Sequence, residues 1–274
     1  MTDLHQAVVL ITGATGGFGQ ELTRQLLMAG SRLILTDLDQ TMLTTWAETA
    51  QRDVTTGEIL ACIPADLAEP SGSEVLYQQV QAMGIPVDIL INNAGIALLG
   101  RMDEVPVEKW ERLMQINLLA PMRLSALFTS DMIARRKGHI VNISSMAGWC
   151  GYAGLVSYAA SKFGLRGFSE GLWEEVKPYN VQVTAVYPFF SRTPILRSQA
   201  YGTLAKNYQG FPDHLATDPA QVMAVTLRGI VQNKLHVFPD RPAQTIHLLK
   251  RFFPQSLNWL SAAFTRRFDG VERP

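Results

Sequence analysis

Tyr158 and Lys162, in the segment YAASK, are the side chains of this sequence best suited to acid–base chemistry. Residues four apart lie on one face of a helix, about one turn from each other. A phenol has an unperturbed pKa of roughly 10, and a neighbouring ammonium group favours the phenolate and lowers that pKa. Such a pair can exchange a proton with an alcohol oxygen. The same spacing also arises by chance in many helices, so the rest of the chain has to support the interpretation.

A glycine-rich turn, TGATGGFG at residues 12–19, stands between a predicted strand and a predicted helix. Glycines let the backbone turn tightly and approach a pyrophosphate, and a helix N-terminus presents free N–H groups to an anion. The strand–turn–helix context is typical of a dinucleotide site. A tight connection without a ligand is the alternative, and the density of glycines argues against it.

Asp37, followed by Leu38, ends the second predicted strand. At that position a carboxylate can accept hydrogen bonds from the adenosine ribose hydroxyls and repel a 2′-phosphate. The glycine turn contains no Lys or Arg, so the sequence favours NAD over NADP, although a helix N-cap is an alternative role for Asp37. Asp66-Leu67 and the segment NNAG at 92–95 follow the next two strands, where open α/β sheets bind ligands.

Short apolar segments alternate with longer segments of helical period, which predicts the elements that carry these residues. We expect strands at 7–11, 32–36, 59–63, 87–91, 139–143, 181–186 and 235–238, and helices at 18–29, 39–51, 71–83, 106–135, 157–177 and 218–233. Several strands are apolar throughout, as in parallel sheets that helices cover on both faces. The predicted fold class is therefore α/β, a doubly wound, Rossmann-type, seven-stranded parallel sheet.

Composition excludes several classes of protein. The 274 residues are 47% hydrophobic, and 24 Lys and Arg balance 24 Asp and Glu, which leaves no electrostatic footprint for nucleic acid. No apolar run is long enough to span a bilayer, and the five histidines lack metal-ligand spacing, so we predict no metal. The N-terminus lacks the features of an export signal, and two cysteines suit a reducing compartment, which predicts a cytoplasmic protein.

Two segments stand outside the alternation. Residues 189–217 form a long loop rich in aromatic residues, and we expect it to act as a lid. Residues 1–240 are predicted to form one dinucleotide-binding and catalytic domain, and 241–274 an amphipathic helical extension with an apolar stripe interrupted by Pro254. Two interpretations of the extension stay open: packing on the body or on a partner subunit, or peripheral contact with a lipid surface.

Together these motifs resemble the short-chain dehydrogenase/reductase family in its common single-domain form. The resemblance runs from residue 12 to beyond residue 190 and rests on TGATGGFG, Asp37, Asp66-Leu67, NNAG, Asn117, Ser144-Ser145 and YAASK. It implies an enzyme that interconverts an alcohol and a carbonyl with a nicotinamide cofactor. It further implies pairing of subunits, as a homodimer or homotetramer, through the helices at 106–135 and 157–177.

The resemblance also implies roles for four catalytic residues. Tyr158 would be the general acid in carbonyl reduction and the general base in alcohol oxidation. Lys162 would lower the pKa of the tyrosine and hold the nicotinamide ribose. Ser145 would hydrogen-bond the substrate oxygen, and Asn117 would anchor a water molecule that connects Lys162 to solvent.

The implied cofactor-binding residues follow the glycine turn and the strand ends. The turn would meet the pyrophosphate, and the NNAG segment would line the adenosine and ribose region. The full set is Gly13, Thr15, Gly17, Phe18, Gly19, Asp37, Leu38, Asp66, Leu67, Asn93, Ala94, Gly95, Tyr158, Lys162, Pro188 and Thr193.

The chain departs from the family pattern after the sixth strand. The family usually has Pro-Gly there, followed by a threonine, whereas this chain has Pro188-Phe189 and then Thr193. We expect Phe189 to turn into the substrate cavity. Apolar residues are predicted to line that cavity, with Ser145, Trp149, Tyr152 and Phe189 contacting the substrate, which favours a hydrophobic secondary alcohol or its ketone.

Two other functions are compatible with the fold. A dinucleotide-sensing module could have kept the fold and lost the chemistry, but Ser145, Tyr158 and Lys162 are all present. Epimerase or dehydratase chemistry on a nucleotide sugar is the other, and relatives of that kind carry a larger C-terminal substrate region.

Overall fold

The computed structural model of the protein describes residues 1–207 and 211–253, and a seven-stranded parallel sheet forms its centre. The strands are β1 (Val8–Thr12), β2 (Arg32–Asp37), β3 (Glu58–Pro64), β4 (Ile89–Asn92), β5 (Gly138–Ile143), β6 (Val181–Val186) and β7 (His236–Val237). Their spatial order is β3-β2-β1-β4-β5-β6-β7. The predicted seven-stranded, doubly wound sheet is confirmed.

Helices cover both faces of this sheet. The helices of the described residues are α1 (Gly17–Met28), α2 (Gln40–Asp53), α3 (Gly72–Ala82), α4 (Val107–Met114), α5 (Ala120–Arg135), α6 (Val156–Val176), α7 (Gly202–Asn207), α8 (Pro219–Val231) and α9 (Arg241–Phe252). Alternate residues of a strand point to opposite faces. In β1, Val9 and Ile11 pack with α1, α2 and α8, whereas Val8 and Leu10 pack with α3, α5 and α6. Both faces are buried, which explains why the central strands are apolar throughout.

The predicted helix at 106–135 is interrupted. A π-helical turn, Gln115–Leu119, separates α4 from α5. Such turns add a residue to the helical repeat and change the direction of the side chains around them. Asn117 lies within this turn and is fully buried. The interruption thus turns a polar residue of an amphipathic segment towards the interior.

The predicted lid and the C-terminal extension have defined positions where they are described. Main-chain hydrogen bonds connect the lid to the loop after β4: Leu99 N donates to Gln199 O at 3.2 Å, and Tyr201 N donates to Leu99 O at 2.8 Å. In α9, Ala243 is fully buried and Ile246 packs beside it. Residues 254–274 lie outside the described residues, so the predicted stripe beyond Pro254 and the domain division at 240 stay predictions.

No helix within 1–207 or 211–253 combines the length and apolar character that a membrane crossing needs. Over the same residues, no three His, Cys, Asp or Glu side chains are grouped so that they could hold a metal ion.

Candidate active site

A cavity of about 590 Å³ lies at the carboxyl ends of the parallel strands. Because all these strands run in one direction, the turns that follow them meet at one edge of the sheet. Most of the predicted site residues line this cavity: Gly13, Thr15, Gly17, Phe18, Asp37, Leu38, Asp66, Leu67, Asn93, Ala94, Gly95, Ser145, Tyr152, Tyr158, Lys162, Pro188, Phe189 and Thr193. Gly19, Asn117 and Trp149 are not part of its wall.

The glycine turn is packed so tightly that it needs residues without side chains. Gly13 has a φ of +66°, and a Cβ there would lie 2.8 Å from the Cα of Ala94. A Cβ on Gly17 would lie 2.6 Å from a methyl carbon of Thr193, and one on Gly19 would lie 2.1 Å from the carbonyl oxygen of Gly13. Glycines therefore let the first turn approach both the NNAG turn and the lid.

Asn93 holds the glycine turn in place. Its Nδ2 atom donates to the carbonyl oxygens of Thr12 and Gly13, each at 2.9 Å. The Thr12 hydroxyl in turn accepts from the backbone N–H groups of Asn93 and Ala94, each at 3.0 Å. The N-cap of α1 is Gly16, which has no side chain that could accept from the first N–H groups of the helix. These N–H groups can therefore donate to an anion. The cradle fits a pyrophosphate.

The Asp37 carboxylate is tied to the same turn. Oδ2 accepts from the backbone N–H of Thr15 at 2.9 Å and from its hydroxyl at 2.6 Å, and Oδ1 accepts from Leu38 N at 2.8 Å. Asp66 lies further along the sheet edge, with Arg112 of α4 at 3.8 Å from its Oδ1. These contacts fix an acidic group on the part of the cavity wall where the first and second strands end.

Ser145 and Tyr158 form a hydroxyl pair at the end of β5. Their side chains adjoin on the cavity wall, and Ser145 Oγ accepts from Ala147 N at 3.1 Å. Since the serine oxygen accepts that N–H, its own hydrogen is available for Tyr158. The pair lies where the cavity meets the N-terminal part of α6.

Lys162 is 4% exposed, and its Nζ atom donates to the carbonyl oxygen of Ile143 at 2.9 Å. The same nitrogen lies 5.7 Å from the centre of the Tyr158 ring. Burial lowers the pKa of Lys162 to about 8, because a charged group loses its hydration there. At neutral pH the group is therefore still mostly an ammonium, and it lies close to the ring of Tyr158.

The pKa of Tyr158 is shifted in the direction opposite to the one that the sequence predicts. Burial raises the pKa of Tyr158, and the hydrogen bond from Ser145 opposes this with a smaller effect. The predicted lowering of the Tyr158 pKa by Lys162 is therefore wrong. The physical reason is that the phenol loses hydration on burial, while the lysine directs a proton at Ile143.

Asn117 does not line the cavity but supports its wall. Its Oδ1 accepts from Ile96 N at 2.9 Å, and its Nδ2 donates to Ile96 O at 2.8 Å. Nδ2 also lies 3.3 Å from the hydroxyl of Ser161. A Cβ built on Gly95 would be 3.4 Å from the Asn117 oxygen and 3.6 Å from Lys162 Nζ, so all three groups adjoin.

Comparison with known proteins identifies the family of this chain. The family profile described as short chain dehydrogenase matches residues 7–202. The chain belongs to the short-chain dehydrogenase family. It is 36% identical over 193 residues to the 3-ketodihydrosphingosine reductase of Bos taurus, in an alignment that covers 70% of this chain and 58% of the bovine protein. The match therefore spans less than two thirds of that relative's length.

Two solved structures resemble this short-chain dehydrogenase over nearly its whole length. A short-chain dehydrogenase from Sphingobium yanoikuyae, in complex with NADPH, has a TM-score of 0.77 at 25% identity, and the match covers 98% of both chains. A short-chain dehydrogenase/reductase from Burkholderia phymatum, in complex with NAD, has a TM-score of 0.79 at 21% identity, covering 92% of this chain and 95% of the other. The second likeness concerns the fold alone.

Phe189 follows Pro188 in the loop after β6 of this short-chain dehydrogenase. Its backbone N–H donates to Asp240 Oδ2 at 2.9 Å, and its ring lines the cavity next to Phe190, with ring centres 5.0 Å apart. The expectation that this side chain turns towards the cavity agrees with its position. Thr193 remains on the cavity wall, against Gly17.

Trp149 requires a correction, because its ring points away from the cavity of this short-chain dehydrogenase. It packs between Tyr187, Phe238 and His247, with ring centres 4.9–5.3 Å away, and the Arg166 guanidinium lies 3.4 Å from the ring centre. The short helical turn after Ser145 rotates the chain at this point. An aromatic residue four positions after Ser145 is thus part of the contact with α9.

The sequence did not point to Asp240, whose carboxylate accepts the backbone N–H of Phe189. Its position before a proline-containing helix start is a recognisable N-cap signal. That signal predicts a helix boundary, but nothing local predicts the bond to a loop 51 residues away.

Proposed function

We propose that this short-chain dehydrogenase interconverts a hydrophobic secondary alcohol and its ketone. The observation that carries the proposal is the hydroxyl pair of Ser145 and Tyr158, with Lys162 behind it, at the inner wall of a largely apolar cavity. The two hydroxyls can address one substrate oxygen, and the cavity can hold an apolar substituent beside it.

A nicotinamide dinucleotide would supply or receive the hydride. The glycine turn and the start of α1 would hold its pyrophosphate, and Asn93–Gly95 would line the adjoining ribose. Thr193 lies across from Gly17 and would meet the nicotinamide end. The chain's part in the reaction is orientation, exclusion of water and management of one proton.

In the reduction direction, the Tyr158 hydroxyl gives its proton to the substrate oxygen as the carbonyl carbon gains hydride. Ser145 donates a hydrogen bond to the same oxygen and stabilises the negative charge that develops on it. Burial raises the pKa of Tyr158, so the phenol holds a proton to give at neutral pH. The Lys162 ammonium favours the phenolate that is left behind.

The apolar wall supports the substrate class. Around the hydroxyl pair, the cavity is lined by aliphatic and aromatic side chains from the loop after β4, the turn after β5, the start of α6 and the lid: Leu98, Leu99, Met146, Leu155, Phe189, Phe190, Leu196 and Phe211. Lys162 and Arg112 are the basic residues of the wall. A ketone with bulky apolar substituents suits this lining better than a sugar or an acid.

We further propose NAD(H) as the preferred cofactor. The Asp37 carboxylate is fixed by three hydrogen bonds at the end of β2, and Leu38 beside it is exposed and uncharged. A 2′-phosphate near this carboxylate would meet charge repulsion without a basic partner from the glycine turn.

Self-association through α5 and α6 and a cytoplasmic location remain proposals. The outer side of α6 carries small or apolar exposed residues at helical spacing, namely Ala160, Phe163, Gly167 and Gly171, and α5 exposes Met122. Such a side can pack against a second copy, and light scattering of wild type and Gly167→Glu would test it.

The free cysteines Cys62 and Cys150 support a reducing compartment.

The function is tested by following NADH and NADPH oxidation with matched ketones that differ in bulk, from acetone to diaryl ketones. We expect turnover that rises with the apolar size of the substituents and is larger with NADH. A wild-type protein that binds cofactor but reduces none of the ketones, and oxidises none of the corresponding alcohols, would contradict the proposal and favour the dinucleotide-sensing module.

A further inference from the structure

Asp240 joins two parts of the molecule that are distant in sequence. It follows β7, is 8% exposed, and uses both carboxylate oxygens. Oδ1 accepts from Ala243 N at 2.8 Å and so caps α9, whereas Oδ2 accepts from Phe189 N at 2.9 Å. One side chain therefore fixes both the start of α9 and the loop after β6, which lines the cavity.

The residues around this link form part of the cavity wall. Phe189 and Met146 both line the cavity, and both pack in a cluster with Ala243 and Ile246 of α9. Phe189 also contacts Phe190 edge to face. A change in the position of the Phe189 backbone would therefore change the shape of the apolar wall next to the reacting groups.

A carboxylate suits this position better than other side chains. Two separate N–H donors need two acceptor oxygens, and a carboxylate has them. An asparagine has one oxygen and would direct its NH₂ group at the second donor. A buried N–H without an acceptor is costly, so the loop would move to find another partner.

We propose that Asp240 is a positioning residue: by holding the backbone of Phe189 it fixes the apolar wall and sets which ketones the cavity accepts. The inference rests on the proposed function, because it concerns the substrate choice of the same site. Asp240 does not line the cavity and takes no part in proton transfer.

The chain offers a matched control in Asp218. This residue also caps a helix whose first turn contains proline, accepting from Ala220 N at 3.2 Å at the start of α8. The carboxylate of Asp218 has no hydrogen bond to the loop at 188–190 among the contacts of the described residues. Asp218→Ala thus removes a helix cap of the same kind and leaves the bond between Asp240 and Phe189 N in place. The neighbouring Thr217, whose backbone N–H and hydroxyl donate to Phe190 O at 2.8 and 3.2 Å, is not changed.

The experiment compares Asp240→Asn and Asp240→Ala with Asp218→Ala, using a bulky diaryl ketone and a small methyl ketone. For the Asp240 variants we expect KM for the bulky ketone to rise about tenfold relative to KM for the small one, as a lost buried hydrogen bond implies. The value of kcat for the small ketone and the affinity for NADH should stay within about threefold. Asp218→Ala should lower thermal stability and leave the KM ratio unchanged.

A double-mutant cycle with Phe189→Gly separates positioning from general destabilisation. If Asp240 acts through the Phe189 ring, Asp240→Ala should have almost no further effect on the KM ratio in the Phe189→Gly background. An equal effect in both backgrounds would overturn the inference. So would a KM ratio in Asp240→Ala that matches Asp218→Ala.

A crystal structure of Asp240→Asn gives a readout that does not need turnover. We expect the Phe189 ring to leave its position beside Met146 and Phe190. An unmoved ring would overturn the inference even if the protein were active. Absence of turnover by the wild type, together with a displaced ring in the variant, would instead count against the proposed function alone.

Discussion

The side chains of Ser145 and Tyr158 adjoin on the cavity wall, and the serine oxygen accepts the backbone N–H of Ala147. The bond from Ala147 uses only the serine oxygen, so the hydroxyl hydrogen of Ser145 can still be donated. A substrate oxygen that enters between the two hydroxyls would receive a hydrogen bond from one and a proton from the other.

This relationship predicts the effect of Ser145→Ala. The variant lacks the donor that stabilises negative charge on the substrate oxygen, so kcat for ketone reduction should fall about 100-fold. The affinity for NADH, measured by fluorescence titration, should not change. Ser145→Thr keeps a hydroxyl and should recover most of the lost rate. Equal losses in the two variants would show that the hydroxyl is not what matters.

The buried Lys162 predicts the pH dependence of reduction. Its pKa is lowered to about 8, so the ammonium is present below that pH and is lost above it. Since the charge favours the phenolate that forms at Tyr158, kcat should fall as the pH rises through about 8. The measurement is kcat at saturating ketone and NADH from roughly pH 6 to roughly pH 10.

Lys162→Arg provides the control for that profile, because guanidinium stays charged over the whole range. The decrease near pH 8 should disappear in this variant, whatever its residual rate. A wild-type profile that is flat through the same range would contradict the role of the ammonium.

Asp37 predicts the choice of cofactor. Asp37→Ser removes the carboxylate that opposes a 2′-phosphate, so KM for NADPH should fall about tenfold while KM for NADH rises. Steady-state kinetics with a single ketone measures both. Asp39→Ser is the matched control: Asp39 caps α2 by accepting from Met42 N at 2.9 Å, and serine is an equally good cap. A wild type that prefers NADPH would contradict the proposal.

The contact of Trp149 with α9 predicts a variant that affects stability and not substrate binding. Trp149→Phe leaves part of the space between Tyr187, Phe238 and Arg166 unfilled, which should cost about 1 kcal/mol of unfolding free energy. Urea unfolding measures this. KM for a diaryl ketone should stay the same, whereas Phe190→Ala, on the cavity wall, should raise it. A KM for the diaryl ketone that rises in Trp149→Phe and stays the same in Phe190→Ala would place Trp149 in the substrate site.

The sheet and most of the cavity wall could be predicted from the sequence, because the signals are local. Residues 8–11 are all apolar, and a strand buried on both faces requires that pattern. The glycine turn and the NNAG segment follow predicted strands, so a parallel sheet brings them to one edge. Periodicity and turn chemistry therefore predicted both the architecture and the location of the site.

Features that depend on contacts between distant segments could not be predicted in this way. Asn117 lies in a segment whose apolar residues recur at helical spacing. Nothing in the local sequence indicates the π-helical turn that buries it. The link of Asp240 to Phe189 and the packing of Trp149 on α9 depend on where α9 lies. The raised pKa of Tyr158 reflects burial, which the spacing of Tyr158 and Lys162 does not report.

The measurement that tests the central claim most directly is the turnover of Tyr158→Phe with a diaryl ketone, alongside its affinity for NADH. Phenylalanine keeps the ring and removes only the proton that is transferred. We predict that kcat falls about 1,000-fold or more while the dissociation constant of NADH stays within about twofold of the wild-type value. A variant that retains a tenth or more of the wild-type rate would contradict the assignment of Tyr158 as the proton donor.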